Sequence, residues 1–131
     1  MNKTAWLSKI LGIGGVLETG AGMGLLAAPS ALSTLLLGSP VAGAEAVIAR
    51  LAGAGVLALG IACWYSRRTP TTPAGLFVSR AYLAYNLGAC AGLVTAHPPL
   101  PGGLFALGGA VLHGLLAAAL FTALFGPGKT A

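Results

Sequence analysis

The chain has 131 residues, of which 56% are hydrophobic, 21 are glycine and only 7% are charged. A soluble domain carries about 25% charged residues and about 7% glycine. Seven Lys/Arg and two Asp/Glu cannot solvate a globule of this size, which excludes a soluble monomer, and the lack of polarity excludes a disordered chain. The composition predicts an all-α integral membrane protein whose main surroundings are the lipid bilayer. The net charge of +5 comes from Lys3, Lys9, Arg50, Arg67, Arg68, Arg80 and Lys129, with no run longer than two. Nucleic-acid surfaces cluster their cations on one face or stripe, so no nucleic-acid partner is expected.

The eight prolines (Pro29, Pro40, Pro70, Pro73, Pro98, Pro99, Pro101 and Pro127) all fall between apolar stretches. Proline removes a backbone donor and clashes with the preceding turn, so it ends helices. The long intervals they leave are sufficient for the roughly 20 residues that a bilayer core requires. They predict a single domain, residues 1–131, with four spans at about 7–28, 45–65, 75–96 and 103–125. Backbone groups in lipid must be bonded internally, and strand alternation is missing, so the spans are helices and the fold is a four-helix bundle.

Along the chain, Lys3 and Lys9 flank the start of the first span. Met1–Ala28 has some features of a signal peptide, but Glu18 interrupts the unbroken apolar run that such a segment needs. Ala31–Gly38, between Pro29 and Pro40, is too short to cross a bilayer and reads equally as an interfacial helix or a packed loop. The loop after the second span carries Arg67 and Arg68, whereas the segments 29–44 and 97–102 carry neither Lys nor Arg. By the positive-inside rule both termini are cytoplasmic, and Trp6, Trp64 and Tyr65 lie at the cytoplasmic headgroup level. The expected location is the bacterial cytoplasmic membrane.

The polar residues inside the spans are few: Glu18, Asn86 and His113 near the centres, with Arg50 and Arg80 about 7–8 Å below their interfaces by helix rise. Charge in hydrocarbon costs at least about 2.5–3.5 kcal/mol on insertion scales and marks a partner or a cavity. Arg80 is close enough to the headgroups to snorkel. Arg50 can do the same or pair with Glu45. Glu18 has no such escape. It is expected either to carry a proton and bond between helices, or to pair with Arg50, Arg80 or His113.

Helical phase places Gly14, Glu18 and Gly22 on one ridge and Gly109, His113 and Ala117 on another. Ser79, Tyr82, Asn86 and Cys90 share a third face. With Gly53, the glycines Gly14, Gly22 and Gly109 are the expected close-packing positions, and Tyr82, Tyr85, Asn86 and His113 are the expected surroundings of a ligand. A weak internal repeat aligns Glu18–Leu25 with Asn86–Leu93 at an offset of 68, placing Glu18 and Asn86 in equivalent positions. Cys63 and Cys90 lie at depths differing by roughly 15–20 Å, too far for a disulfide. There is no Asp, hence no Ser-His-Asp triad or two-metal carboxylate site, and Glu18 with His113 provides too few ligands for a metal. Catalytic residues and a resident metal or cofactor are not expected.

The runs Leu17-Glu18-Thr19-Gly20, Leu25-Leu26-Ala27-Ala28-Pro29 and Leu35-Leu36-Leu37-Gly38, followed by Ala49-Arg50-Leu51-Ala52-Gly53 and Leu57-Ala58-Leu59-Gly60, resemble small four-span bacterial membrane proteins, in particular the DoxX-like group. The likeness covers about half the chain. It implies a four-helix bundle of the cytoplasmic membrane and, through some members, quinone-linked oxidation. The chain is more distantly similar to small multidrug-resistance transporters, which have a midplane glutamate in their first span where Glu18 stands. It departs from them in Arg50, Arg80, His113 and the long Pro29–Ala44 segment. Three functions follow as expectations: a structural or accessory protein whose polar cluster fixes helix register, a proton-coupled transporter of small hydrophobic compounds using Glu18, or a binder of a quinone or lipid-like molecule. A homo-oligomer or a larger membrane complex is the expected assembly.

Overall fold

A computed structural model describes residues 2–95 and 104–126. These form five helices and, among the described residues, no strand: α1 (Lys3–Ala27), α2 (Pro29–Leu37), α3 (Gly43–Ser66), α4 (Pro73–Thr95) and α5 (Leu104–Phe125). The expected turn at 97–102, the outer ends of two spans at Ala96 and Gly103, and Lys129 lie outside the described residues.

Local chemistry sets the boundaries. The Asn2 side chain caps α1 by accepting from the Ala5 N–H at 3.3 Å. Proline separates the long helices as expected, and at two sites it also starts the next helix. Pro29 and Pro73 open helices, because the missing N–H of a first-turn residue has no intrahelical partner anyway. Thr72 caps α4, its hydroxyl accepting from Gly75 N–H at 3.3 Å while donating to Thr69 O at 2.8 Å. The segment 31–38 belongs to a true helix, α2, which ends on Gly38 at φ 78°, a left-handed position suited to glycine. Ser33 ties this corner by donating to the Ser39 carbonyl at 2.8 Å.

By length and composition α1, α3 and α5 can each cross a membrane. The 23-residue α4 does not join them, because Ser79, Arg80, Tyr82, Tyr85 and Asn86 dilute its apolar content. Many large apolar side chains face outward, among them Ile48, Leu51, Phe77, Val94, Leu104 and Leu115. Such a surface suits lipid rather than water.

The helices pack as two intimate pairs, α1 with α3 and α4 with α5, joined by sparser contacts between α1 and α5 and between α3 and α4. Glycine governs the first pair. A Cβ on Gly15 would lie 2.9 Å from Trp64 N, one on Gly22 would strike the Leu57 backbone, one on Gly60 would meet Thr19 N at 2.5 Å, and one on Gly53 would meet Leu25 Cβ at 2.7 Å. At every step of this antiparallel seam one helix contributes a glycine, so the backbones touch.

The remaining core is Leu7, Ile10 and Leu11 of α1 against Cys63, Tyr82, Leu83, Leu116 and Leu120. Lys3 Nζ donates to Leu124 O at 3.1 Å, which brings the start of α1 beside the end of α5.

Candidate functional site

Glycine again makes the space for the polar cluster. Gly14 presents no side chain toward α4, and the Tyr82 ring fills that notch so closely that a Cβ there would sit 2.5 Å from Cζ and the hydroxyl. Tyr82 has no solvent exposure and is therefore held in one orientation. One turn along α1, on the same face, the Glu18 carboxylate accepts a hydrogen bond from the Tyr82 hydroxyl at 3.2 Å. Glu18 is itself only 3% exposed. Tyr85 stacks on Tyr82, with ring centroids 6.3 Å apart, and its side chain also approaches the Glu18 carboxyl.

The cluster continues into α5. Asn86, fully buried, donates from Nδ2 to the Tyr82 carbonyl at 2.8 Å, and its Oδ1 lies 2.9 Å from His113 Nδ1. A carbonyl needs a donor, so the amide orientation is fixed by the Tyr82 bond, and Oδ1 must accept from His113. The imidazole proton therefore sits on Nδ1, leaving Nε2 of the neutral ring as an acceptor. The His113 ring also meets Tyr85 edge-on at 5.6 Å.

Glu18, Tyr82, Tyr85, Asn86 and His113 thus form one chain across α1, α4 and α5. Both residues of the repeat, Glu18 and Asn86, are buried in it. Neither arginine joins them. Arg80 is exposed on the outside of α4. Arg50 is exposed and bonds neither Glu18 nor Glu45; its Nε donates to Leu26 O at 3.3 Å. That carbonyl lies in the last turn of α1, where backbone acceptors lack helical partners and the helix dipole favours a cation. Arg50 therefore caps α1 at the corner into α2.

Of the expected packing positions, Gly14, Gly22 and Gly53 sit at tight contacts. Gly109 does not: it is half-buried, and a Cβ there would meet only the flexible tip of Leu93, at 3.2 Å. Gly15 and Gly60 make contacts as tight as these. Both were legible as glycines seven residues from Gly22 and Gly53, a two-turn spacing that keeps one helix face small. Cys63 is buried and Cys90 half-buried, both as free thiols. No metal-binding group of three or more His, Cys, Asp or Glu occurs among the described residues.

Two concavities bear on the site, one bordering the cluster and one apart from it. One, of about 320 Å³, lies beneath α2; its lining includes Ser33, Leu37, Val41, Leu93 and Phe105, and His113 is its ionisable wall. The other, of about 600 Å³, is an apolar groove between α1 and α3. Glu18 borders neither. No family model, curated protein or solved structure matches this chain.

Proposed function

We propose that this is a structural or accessory protein of the bacterial cytoplasmic membrane, a four-helix bundle with both termini cytoplasmic, in which α4 is the fourth span. The observation that carries the reading is the engagement of the polar groups with one another. Glu18, Tyr82 and Asn86 are buried, bonded to protein partners and set across the junction of the two helix pairs. Polar bonds between membrane helices fix register because their alternative is an unsatisfied group in hydrocarbon.

Counting α4 as a span is supported by its partnership with α5 and by the inward direction of its polar face. The orientation is supported by the grouping of Lys3, Arg67 and Arg68 at one end, with α2 at the other. The DoxX-like resemblance belongs to the same reading.

Proton-coupled transport through Glu18 is the less favoured expectation, since the carboxyl borders neither concavity. The test is Glu18→Gln in proteoliposomes. The amide still accepts from Tyr82, so the variant should fold with wild-type stability. Wild-type protein should release no protons on addition of hydrophobic cations. Release that disappears in Glu18→Gln would replace the structural reading with the transport one.

A second reading has its own observation, the cavity beneath α2 with the His113 ring in its wall. Its chemistry suits a quinol or another lipid-like molecule bearing one hydroxyl donor, which would bond Nε2 while apolar walls hold the rest. Solvent extraction of purified protein tests this directly: a stoichiometric quinone lost in His113→Leu supports it, and an extract without one refutes it.

A further inference from the structure

The larger groove, between α1 and α3, lies apart from the Glu18 cluster and is built differently. Its floor is the contact of Gly15 with the Trp64 backbone. Val16, Thr19 and Met23 of α1 form one wall, and Ile61, Trp64 and Tyr65 of α3 form the other. Gly20 keeps it open, since a Cβ there would have nothing within 4 Å.

The face of α1 bearing Val16, Thr19 and Met23 continues toward the N-terminus through Gly12 and Lys9 by helical spacing. Arg67 lies on that continuation, its Cδ 3.5 Å from the Cβ position of Gly12. Its guanidinium stacks 3.8 Å above the Trp64 ring. Arg67 Nε is buried and makes no hydrogen bond among the described residues. Lys9 and Arg68 are exposed at the same end. The two acids are elsewhere: Glu18 bonds Tyr82, and Glu45 lies in the first turn of α3, at the far end of that helix.

We infer that this groove binds an anionic phospholipid, one acyl chain lying between α1 and α3 and the headgroup phosphate held at the cationic mouth by Arg67 with Lys9 and Arg68. Each part of the site matches one part of that molecule. The apolar walls suit an acyl chain, Trp64 and Tyr65 mark the headgroup boundary, and three cations with no acidic side chain beside them among the described residues complement a phosphate. The stacked guanidinium is already oriented, so little side-chain freedom is lost on binding.

The test uses the full chain in vesicles of equal parts phosphatidylglycerol and phosphatidylcholine, released gently for native mass spectrometry of retained lipid. The wild type should retain one phosphatidylglycerol in preference to phosphatidylcholine. Arg67→Gln should cut that preference about fivefold, the effect of one surface cation. Gly20→Leu, whose Cβ would meet nothing within 4 Å, puts a bulky side chain into the groove and should retain neither lipid, while Gly55→Leu, at a position of α3 whose Cβ is equally free, should behave as wild type. Equal retention of the two lipids by the wild type, or undiminished retention by Gly20→Leu, would overturn the assignment. A dimer that Gly20→Leu converts to monomer would give the groove to a second copy of the chain and equally overturn it.

Discussion

The α1–α3 seam makes a sharp prediction about two glycines two residues apart. Gly22 and Gly20 lie on the same helix and in the same membrane, and alanine improves intrinsic helix propensity at either by up to about 1 kcal/mol. They differ in what the new methyl meets. At Gly22 it would lie 2.7 Å from Leu57 Cα and closer still to the Leu57 nitrogen, whereas at Gly20 it meets nothing. Backbone cannot rotate away as a side chain can, so α1 and α3 must separate locally. Overpacking of this kind costs about 1–3 kcal/mol, enough to outweigh the propensity gain. Gly22→Ala should therefore lower the unfolding midpoint in detergent, and Gly22→Leu more so, while Gly20→Ala should be neutral or stabilising. The assay is thermal unfolding followed by circular dichroism in one detergent. Equal midpoints for Gly22→Ala and Gly20→Ala would refute the close-packed seam.

The remaining predictions concern the corners and the cluster. Gly14→Ala should displace the Tyr82 ring from its notch and, although it adds only a methyl, cost about as much as Gly22→Ala by the same unfolding assay. Arg50→Gln should cost only about 0.3–1 kcal/mol, the usual worth of a cation at a helix C-terminus; a loss of several kcal/mol would mean that Arg50 holds more than the α1 cap. In whole cells, a cysteine at the exposed Thr71 should be protected from an impermeant label and one at the exposed Ser39 should react. The reverse pattern would invert the orientation.

The apolar helices were readable in the sequence because their lengths and flanking prolines carry the information. The same prolines that bound the spans also start helices: Pro29 opens α2 and Pro73 opens α4, since a fixed φ with no N–H suits the first turn as well as it spoils the interior. Glu18, Asn86 and His113 stood out as a set because they are rare polar groups at similar depth; the first two are buried and His113 is half-buried. The Tyr82 bond to Glu18 was not, since it depends on the notch at Gly14, and a notch exists only between two elements. The partner of Arg50 was hidden for the same reason, although its exposure agrees with the snorkelling alternative. Its nearest acid in sequence, Glu45, offered a partner, but the fold brings it the Leu26 carbonyl, 24 positions away. Gly109 had a helical phase suited to packing, yet its neighbour is a flexible side chain rather than backbone.

The account rests on the Glu18–Tyr82 bond as the tie between the two helix pairs, and a double-mutant cycle measures it most directly. Glu18→Leu, Tyr82→Phe and the double variant should be unfolded in the same detergent. Coupling between the two positions of about 0.6 kcal/mol or more is predicted, the average found for polar pairs between membrane helices, whose maximum is about 1.7 kcal/mol. Additive effects, with no coupling beyond about 0.3 kcal/mol, would contradict the claim that this bond holds the pairs in register.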